Sequence, residues 1–435
     1  MSALFTIGPV IDKLMMLQED VVTTFAIESG FMRRKPRKID PKTFLLAFCI
    51  MVLQGGKSLS SLAMAVGMLK GIRVSKQAID QRVNEACVRY LERVLAHAIA
   101  QKINTCCPRV SSVFSRVLLH DSTTVRVPSQ LADEFPGSSN GKGKDISLVK
   151  IQTVYDALRE RFCYFWISPF TTNDQKIATT MLEYVHQGDL VIRDLGYFVL
   201  RALALIQHKG AFFITRLRHG IVLYDLHSEK RVNLFRMLKR HRRLDMTVIV
   251  GTEEKLTVRL VALPVDPAIA AHRRRILRAN RDRRLNPSKE HLALLGWNLF
   301  LLNTDVDTLP AEDVVALYGL RWRIETIFKA WKSNFHLAAL PRASAVHLRA
   351  YLYAFFLFVT LFHAVIFSQY NTRSLSKYNR PLSLLKLSRI FREQFWAITL
   401  YISRPAALFD QISYHALYEK RDDRLNYHQK VAALT

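Results

Sequence analysis

Three carboxylates and a row of basic and aromatic side chains could do chemistry in this sequence. Asp121 follows the apolar run Val117-Leu118-Leu119, and Asp194 follows Leu190-Val191-Ile192. A charged group at the end of a buried strand is either a strand-end cap or a site residue. In open α/β sheets ligands lie beyond the carboxyl ends of strands, which makes both aspartates candidates. Asp189 flanks the second strand at its start, roughly 17 Å from Asp194 at about 3.3 Å per residue, so only one of that pair can join such a site. The third carboxylate is Glu325, on a helix that the pattern predicts over 309–333. With Tyr318 at zero and about 100° per residue, Arg321 falls near −60°, Glu325 near −20° and Lys332 near −40°. Four polar groups thus share an arc of roughly 60°, while Leu317, Leu320, Ile324, Ile327, Phe328 and Trp331 gather on a separate, core-facing stripe. Glu325 beside Arg321 reads equally well as an intrahelical ion pair.

Three carboxylates suit hard cations such as Mg²⁺, which take oxygen ligands. Two such ions about 3.5–4 Å apart stabilise the attacking and leaving oxygens of an in-line phosphoryl displacement. Arg321 would hold a phosphate through its planar fork and Lys332 as a point charge. The composition agrees with an anionic partner: 63 Lys and Arg against 36 Asp and Glu leave a formal charge of +27. That surplus points to nucleic acid or an acidic membrane surface. Half of the 435 residues are apolar and Gly and Pro number only 16 and 14, which excludes disordered, collagen-like and low-complexity chains. The five cysteines have no zinc spacing and, with Cys106 and Cys107 adjacent, no C-x-x-C reach; they read as reduced and intracellular.

The elements that must position these groups can be read from the same patterns. Residues 1–110 read as helical, with helices over 59–69 and 75–88 about the turn Gly71-Ile72-Arg73, the outline of a helix-turn-helix. Arg33, Arg34, Lys35, Arg37, Lys38, Lys57, Lys70, Arg73, Lys76 and Arg82 surround it. From 113 the character changes: strands over 117–119, 148–157, 162–169, 190–192 and 212–217 and helices over 175–187 and 198–208 suggest an α/β layer domain. The glycine, serine and lysine stretch 136–147 reads as a polar loop. A β-rich insertion over 218–305, with strands over 246–250, 256–263 and 297–302, carries an arm with Arg273, Arg274, Arg275, Arg278, Arg281, Arg283 and Arg284. Like charges in that number repel unless something anionic sits against them, so nucleic-acid contact is expected. Helices return to the end. The apolar segment 350–367 is at the lower limit for a membrane span and reads as a buried core helix, and the first 15 residues, broken by Asp12 and Lys13, do not read as a signal peptide.

Tyr318-x-x-Arg321-x-x-x-Glu325-x-x-x-x-x-x-Lys332 has the spacing of the Y-R-E-K signature, and the chain resembles bacterial DDE transposases of the insertion-sequence four family. LYGLRWRIETIFKAWKS resembles that family's helix, HDSTTVRV around Asp121 its first acidic block, and IRDLGYF around Asp194, followed by FFITRL, its second. The resemblance covers 117–333; Leu195 departs from it, standing where the family often has a polar or basic residue.

The resemblance implies an α/β, ribonuclease-H-like catalytic core with a β-rich insertion, and the helical patterns on either side flank it with helical N- and C-terminal regions, the first a candidate helix-turn-helix DNA-binding region. Pattern and resemblance together divide the chain into 1–110, 111–217, 218–305, 306–370 and 371–435. It makes Asp121, Asp194 and Glu325 the catalytic, metal-binding trio for two Mg²⁺ ions, with Mn²⁺ able to substitute. Tyr318, Arg321 and Lys332 would contact the transposon end. Trp297 resembles a tryptophan that stacks on a flipped base; core packing is the alternative. The implied activity is cut-and-paste transposition through hairpin ends, by a homodimer on transposon ends and target DNA, in the bacterial cytoplasm and at the nucleoid, without membrane attachment. A metal-dependent nuclease on the same fold and a non-catalytic helix-turn-helix regulator are the rival readings.

Overall fold

The computed structural model describes residues 18–34, 36, 38–100, 113–137, 146–280, 286–338, 340, 343–395, 398, 405–418 and 427–433. In chain order the first helices are α1 (Glu19–Glu28), α2 (Pro41–Leu53), α3 (Leu59–Lys70), α4 (Lys76–Asp80) and α5 (Glu85–Ala100). Strands β1 (Arg116–Val127), β2 (Ser147–Asp156) and β3 (Arg161–Pro169) follow, then α6 (Asp174–Thr180), β4 (Asp189–Arg193), α7 (Leu200–His208) and β5 (Phe212–Arg216). The insertion comprises β6 (Leu223–Asp225), α8 (Leu234–Arg240), β7 (Leu244–Val250), β8 (Leu256–Pro264), α9 (Pro267–Asn280), α10 (Lys289–Leu294) and β9 (Trp297–Leu302). The rest is helical: α11 (Ala311–Tyr318), α12 (Trp322–Ser333), α13 (Ala345–Leu361), α14 (Ser368–Tyr378), α15 (Leu384–Glu393), α16 (Pro405–Ala416) and α17 (Tyr427–Ala433).

The chain forms two compact units, one of Met1–Cys106, Ser122–Thr171 and Arg323–Arg424, the other of Cys107–Asp121, Thr172–Trp322 and Leu425–Thr435. In the second unit the strand order is β1-β4-β5-β9-β8-β7-β6. The first three run parallel and the rest pair antiparallel, which is the mixed sheet of a ribonuclease-H-like core extended by its insertion. Val117, Leu118, Leu119, Leu190, Ile192, Ile214, Leu301 and Leu302 are buried, giving the near-continuous apolar runs expected of strands covered on both faces. Asp189, at the start of β4, accepts a hydrogen bond of 2.8 Å from Arg116 Nε and one of the same length from the His186 amide, so it is a buried structural anchor.

The first unit is built around α13. This helix packs on α5, α2 and β3, and Phe356 stacks on Phe165 with ring centroids 4.6 Å apart. Its exposed rim is tied by Arg349 to Glu85 at 2.5 Å, His347 to Asp80 at 3.0 Å and Tyr353 to Glu92 at 3.1 Å. A π-helical turn over Phe362–Phe367 joins α13 to α14, so Ala345–Tyr378 is one 34-residue helix, long and apolar enough to cross a membrane, with 89% of its most apolar window buried. The expected core helix is therefore present.

Several local expectations are corrected. The helix expected over 75–88 ends at Asp80, because Asn84 turns its side chain back to accept from the Ala86 and Cys87 amides and starts a new helix. That leaves a second helix-turn-helix helix of five residues, about 7.5 Å long. The strand expected to stop at Asp121 continues to Val127 through the β-branched Thr123, Thr124 and Val125. The helix expected over 175–187 tightens to a 3₁₀ turn after the β-branched pair Thr179-Thr180. The helix drawn over 309–333 is interrupted by three 3₁₀ residues, Gly319–Arg321, at a weak helix former. They turn the chain about 60° more than three α-helical residues would, so the single helical wheel does not hold past Arg321. Among the described residues the insertion carries three helices besides its strands, and the arginine arm begins as α9. Residues 1–17, Lys35, Arg37, Cys106, Cys107, Arg281, Arg283, Arg284 and 138–145 of the polar loop lie outside the described residues.

Candidate active site

In the second unit the register of β1 against β4 ends at His120 opposite Arg193, so Asp121 and Asp194 are the next residues on neighbouring parallel strands. Their carboxylates converge on one cation. Arg321 Nη1 donates to Asp121 Oδ2 at 3.3 Å and lies 3.9 Å from Asp194 Oδ1. The side chains of Arg321 and Asp121 are 10% and 17% exposed, whereas that of Asp194 is 48% exposed, so the pair opens to solvent on the Asp194 side. Two carboxylates already gathered round a guanidinium fit a hard divalent cation, which takes the same oxygen donors. Among the described residues no three His, Cys, Asp or Glu side chains form a ready metal cluster.

Beneath the aspartates stand two supports: Arg193, which pattern reading did not single out, and Tyr318, which the sequence places on the same helix as Glu325. Arg193 is buried and donates to the Ala178 carbonyl at 2.7 Å; burial pulls its pKa down to about 10. Tyr318 is buried against Phe300, and its hydroxyl reaches the Arg193 carbonyl in a long bond of 3.5 Å. Burial, helped by the charge of Asp194, pushes the Tyr318 phenol up to about 12, so it remains a neutral donor. Next along the chain, Trp322 is 59% exposed and the Arg321 guanidinium lies 5.3 Å from its ring centre.

Glu325 and Lys332 belong to the first unit, on α12. Both are half-buried, and burial lowers the Lys332 pKa. The first turn of α12 is held from its other side. Arg323, two residues and roughly 200° from Glu325, is 2% exposed. Its Nη2 donates to Glu160 Oε1 at 2.6 Å, and its guanidinium lies over Phe367 at 5.0 Å. Glu160 sits in the tight β2–β3 turn at φ 48°. The sequence signal was the second arginine of Arg321-Trp322-Arg323, but its partner is 163 residues away.

The insertion residues divide. Arg273 is folded back to the Trp297 carbonyl at 3.2 Å and Asn298 Oδ1 at 2.9 Å, and Arg274 to the Leu292 carbonyl at 2.9 Å. Arg275 and Arg278 are exposed. Trp297 is half-buried against Leu238, Leu244, Ala262 and Leu299, the packing role left open by the sequence.

Arg321 gives a direct test of the paired aspartates. Arg321→Gln leaves two carboxylates facing each other with that counter-charge gone, so the protein in EDTA is expected to lose about 1–2 kcal/mol, or about 1–2 °C of thermal midpoint. Added Mg²⁺ should restore more of that loss than it adds to the wild type, because ligand binding to the folded state stabilises by mass action. Equal Mg²⁺ shifts in both proteins would remove the aspartate pair as a cation site.

Known proteins resemble this chain along most of its length. The chain is 26% identical over 407 residues to the transposase for insertion sequence element IS231E of Bacillus thuringiensis subsp. finitimus, over 88% of this chain and 84% of that one. It is 25% identical over 374 residues to the transposase for insertion sequence element IS1151 of Clostridium perfringens, over 80% and 78%. The cryo-EM structure of a piggyBac transposase synaptic complex with hairpin DNA superposes with a TM-score of 0.44 at 13% identity, over 92% of this chain and 84% of that chain. The model of the transposase DDE domain matches residues 113–361. Its span is more than half of the chain and takes in both aspartates and the glutamate, and it makes this protein a member of the DDE transposase family.

Proposed function

We propose that the protein is the transposase of an insertion sequence, cutting DNA at the element's ends and joining it to a target by metal-dependent phosphoryl transfer. The observation that carries this reading is the convergence of Asp121 and Asp194 on one cation, inside the span of the family match. Asp121, Asp194 and Glu325 would hold Mg²⁺, with Mn²⁺ as a substitute, and the ions would supply the positive charge that an in-line displacement at phosphorus needs. The chain's own groups prepare the site. Tyr318 and Arg193 fix the end of β4 from below, and the clamp on Arg323 fixes the turn that bears Glu325. With the carboxylates given to a metal, Arg321 would be left to hold a DNA phosphate, and Lys332 would hold a second.

The expected sequence is nicking at the element's end, attack of the freed 3′-hydroxyl on the opposite strand to close a hairpin, hairpin opening and strand transfer. A homodimer brings two ends together, at the nucleoid of a bacterial cell. The test is a linear DNA carrying this gene with its natural flanks, incubated with the purified protein and Mg²⁺, with strand breaks mapped on denaturing gels. Double-strand release at both flanks with hairpinned ends and joining to a second DNA is the expected result. Breaks without joining would replace the transposase with a nuclease, and binding without breaks would leave a regulator.

A further inference from the structure

The strongest unassigned charge on the molecule is the run Arg236–Arg243 on α8 and the loop behind it. Arg236, Lys239, Arg240, His241, Arg242 and Arg243 are all exposed. Among the described residues only Arg243 of these six has an ion-pair partner, Glu312 at 2.5 Å. The nearest acid along the chain, Asp245, is taken up by the Arg259 guanidinium at 2.6 Å. The helix therefore collects like charges on its outer face with nothing of its own to neutralise them. Its apolar residues are used elsewhere: Leu238 is in the insertion's core with Leu244, Ala262 and Leu299, Leu234 and Met237 pack against it, and the half-buried Phe235 carries the Lys239 ammonium over its ring at 4.2 Å.

We infer that α8 and its following loop are a phosphate-backbone docking face for duplex DNA, built by Arg236, Lys239, Arg240 and Arg242. This rests on the reading of the protein as DNA-acting and deepens it by naming a surface. An anionic membrane is the other polyanion a basic helix can meet, but membrane binding needs an apolar face to bury among acyl chains, and that of α8 is turned into the protein. The outward groups are long-stemmed cations with no amide or hydroxyl among them, so they neutralise phosphates without reading base edges. The face is thus sequence-independent. It suits flanking or target DNA, where grip is needed and no recognition sequence exists.

The measurement is the affinity of full-length protein for two duplexes, one with the element's end and one unrelated, across a series of salt concentrations. In Arg236→Gln/Lys239→Gln/Arg240→Gln the slope of log affinity against log salt is expected to become shallower by about 2.7, at about 0.9 for each phosphate no longer neutralised, and equally on both duplexes. Arg201→Gln/Lys255→Gln, which removes two exposed charges elsewhere, should leave the slope unchanged. An unchanged slope in the triple variant, or a weakening confined to the element's end, overturns the inference. So does phosphatidylserine-vesicle binding by the wild type that the triple variant loses while its DNA slope is kept. If the wild type cuts DNA and the slope does not move, the docking face alone fails; if the wild type does not bind DNA, both readings fail.

Discussion

Glu325→Gln is expected to abolish strand cleavage while leaving DNA binding within about twofold. The substitution keeps the size of the side chain and removes the charge that would hold a metal. Outer partners of metal ligands already cost 10–100-fold when removed, so loss of a ligating carboxylate should exceed about 100-fold. Asp121→Asn and Asp194→Asn should match it. The three losses should not multiply when combined, because residues that act as one unit are not additive. Divalent-ion binding, followed by calorimetry with Mg²⁺ alone, should weaken in each variant. DNA affinity should not fall, since each change makes a basic protein slightly more so. Cleavage by Glu325→Gln at a rate near the wild type would remove the glutamate from the trio and return it to the ion-pair reading.

The second large effect concerns the clamp behind that glutamate. Arg323→Ala or Glu160→Leu alone leaves a charge buried without its partner, at an expected cost of about 3–5 kcal/mol. Glu160→Leu combined with Arg323→Met removes both charges and should be nearly neutral in stability. Chemical denaturation of the single and double variants reads this directly. If the clamp also sets the direction of Glu325, the double variant will fold and bind DNA yet cleave slowly; full activity would make the pair purely structural.

The pair also carries a sign in pH. Burial raises the Glu160 carboxyl above its ordinary value near 4.5, with Arg323 opposing. The folded state therefore binds that proton more readily than the unfolded state. The contribution is present below the ordinary value and is lost as pH rises toward the raised one. Glu160→Gln should flatten stability across that interval.

The strands of the core were legible because they are short apolar runs between turn signals, and β4, β5 and β9 fall within one residue or so of where pattern places them. Asp121 and Asp194 were legible as charges that interrupt those runs. Arg116 with Asp189, and Arg323 with Glu160, were not: each pair joins residues 73 or 163 positions apart, and no local rule couples them. The break at Gly319–Arg321 was hidden because apolar spacing continues across it. The basic run on α8 was open to reading, with Leu234, Met237 and Leu238 at helical spacing between the cations. The arginines of α9 are denser in the sequence, yet two of them, Arg273 and Arg274, fold back to hold the chain.

The three-part make-up of the first unit sets a timetable for synthesis. Helix α5 presents Cys87, Val88, Tyr90, Leu91, Val94 and Leu95 to a core whose central member, α13, begins at Ala345 and ends at Leu361. About 260 residues separate the end of α5 from the end of α13, which at roughly 5–20 residues per second is about 13–50 s of translation. Throughout that interval the nascent chain carries an unmatched apolar helix face. A ribosome that stops before Leu361 therefore releases a chain whose N-terminal helices cannot close their core, and such fragments should aggregate instead of persisting as DNA-binding competitors of the complete protein.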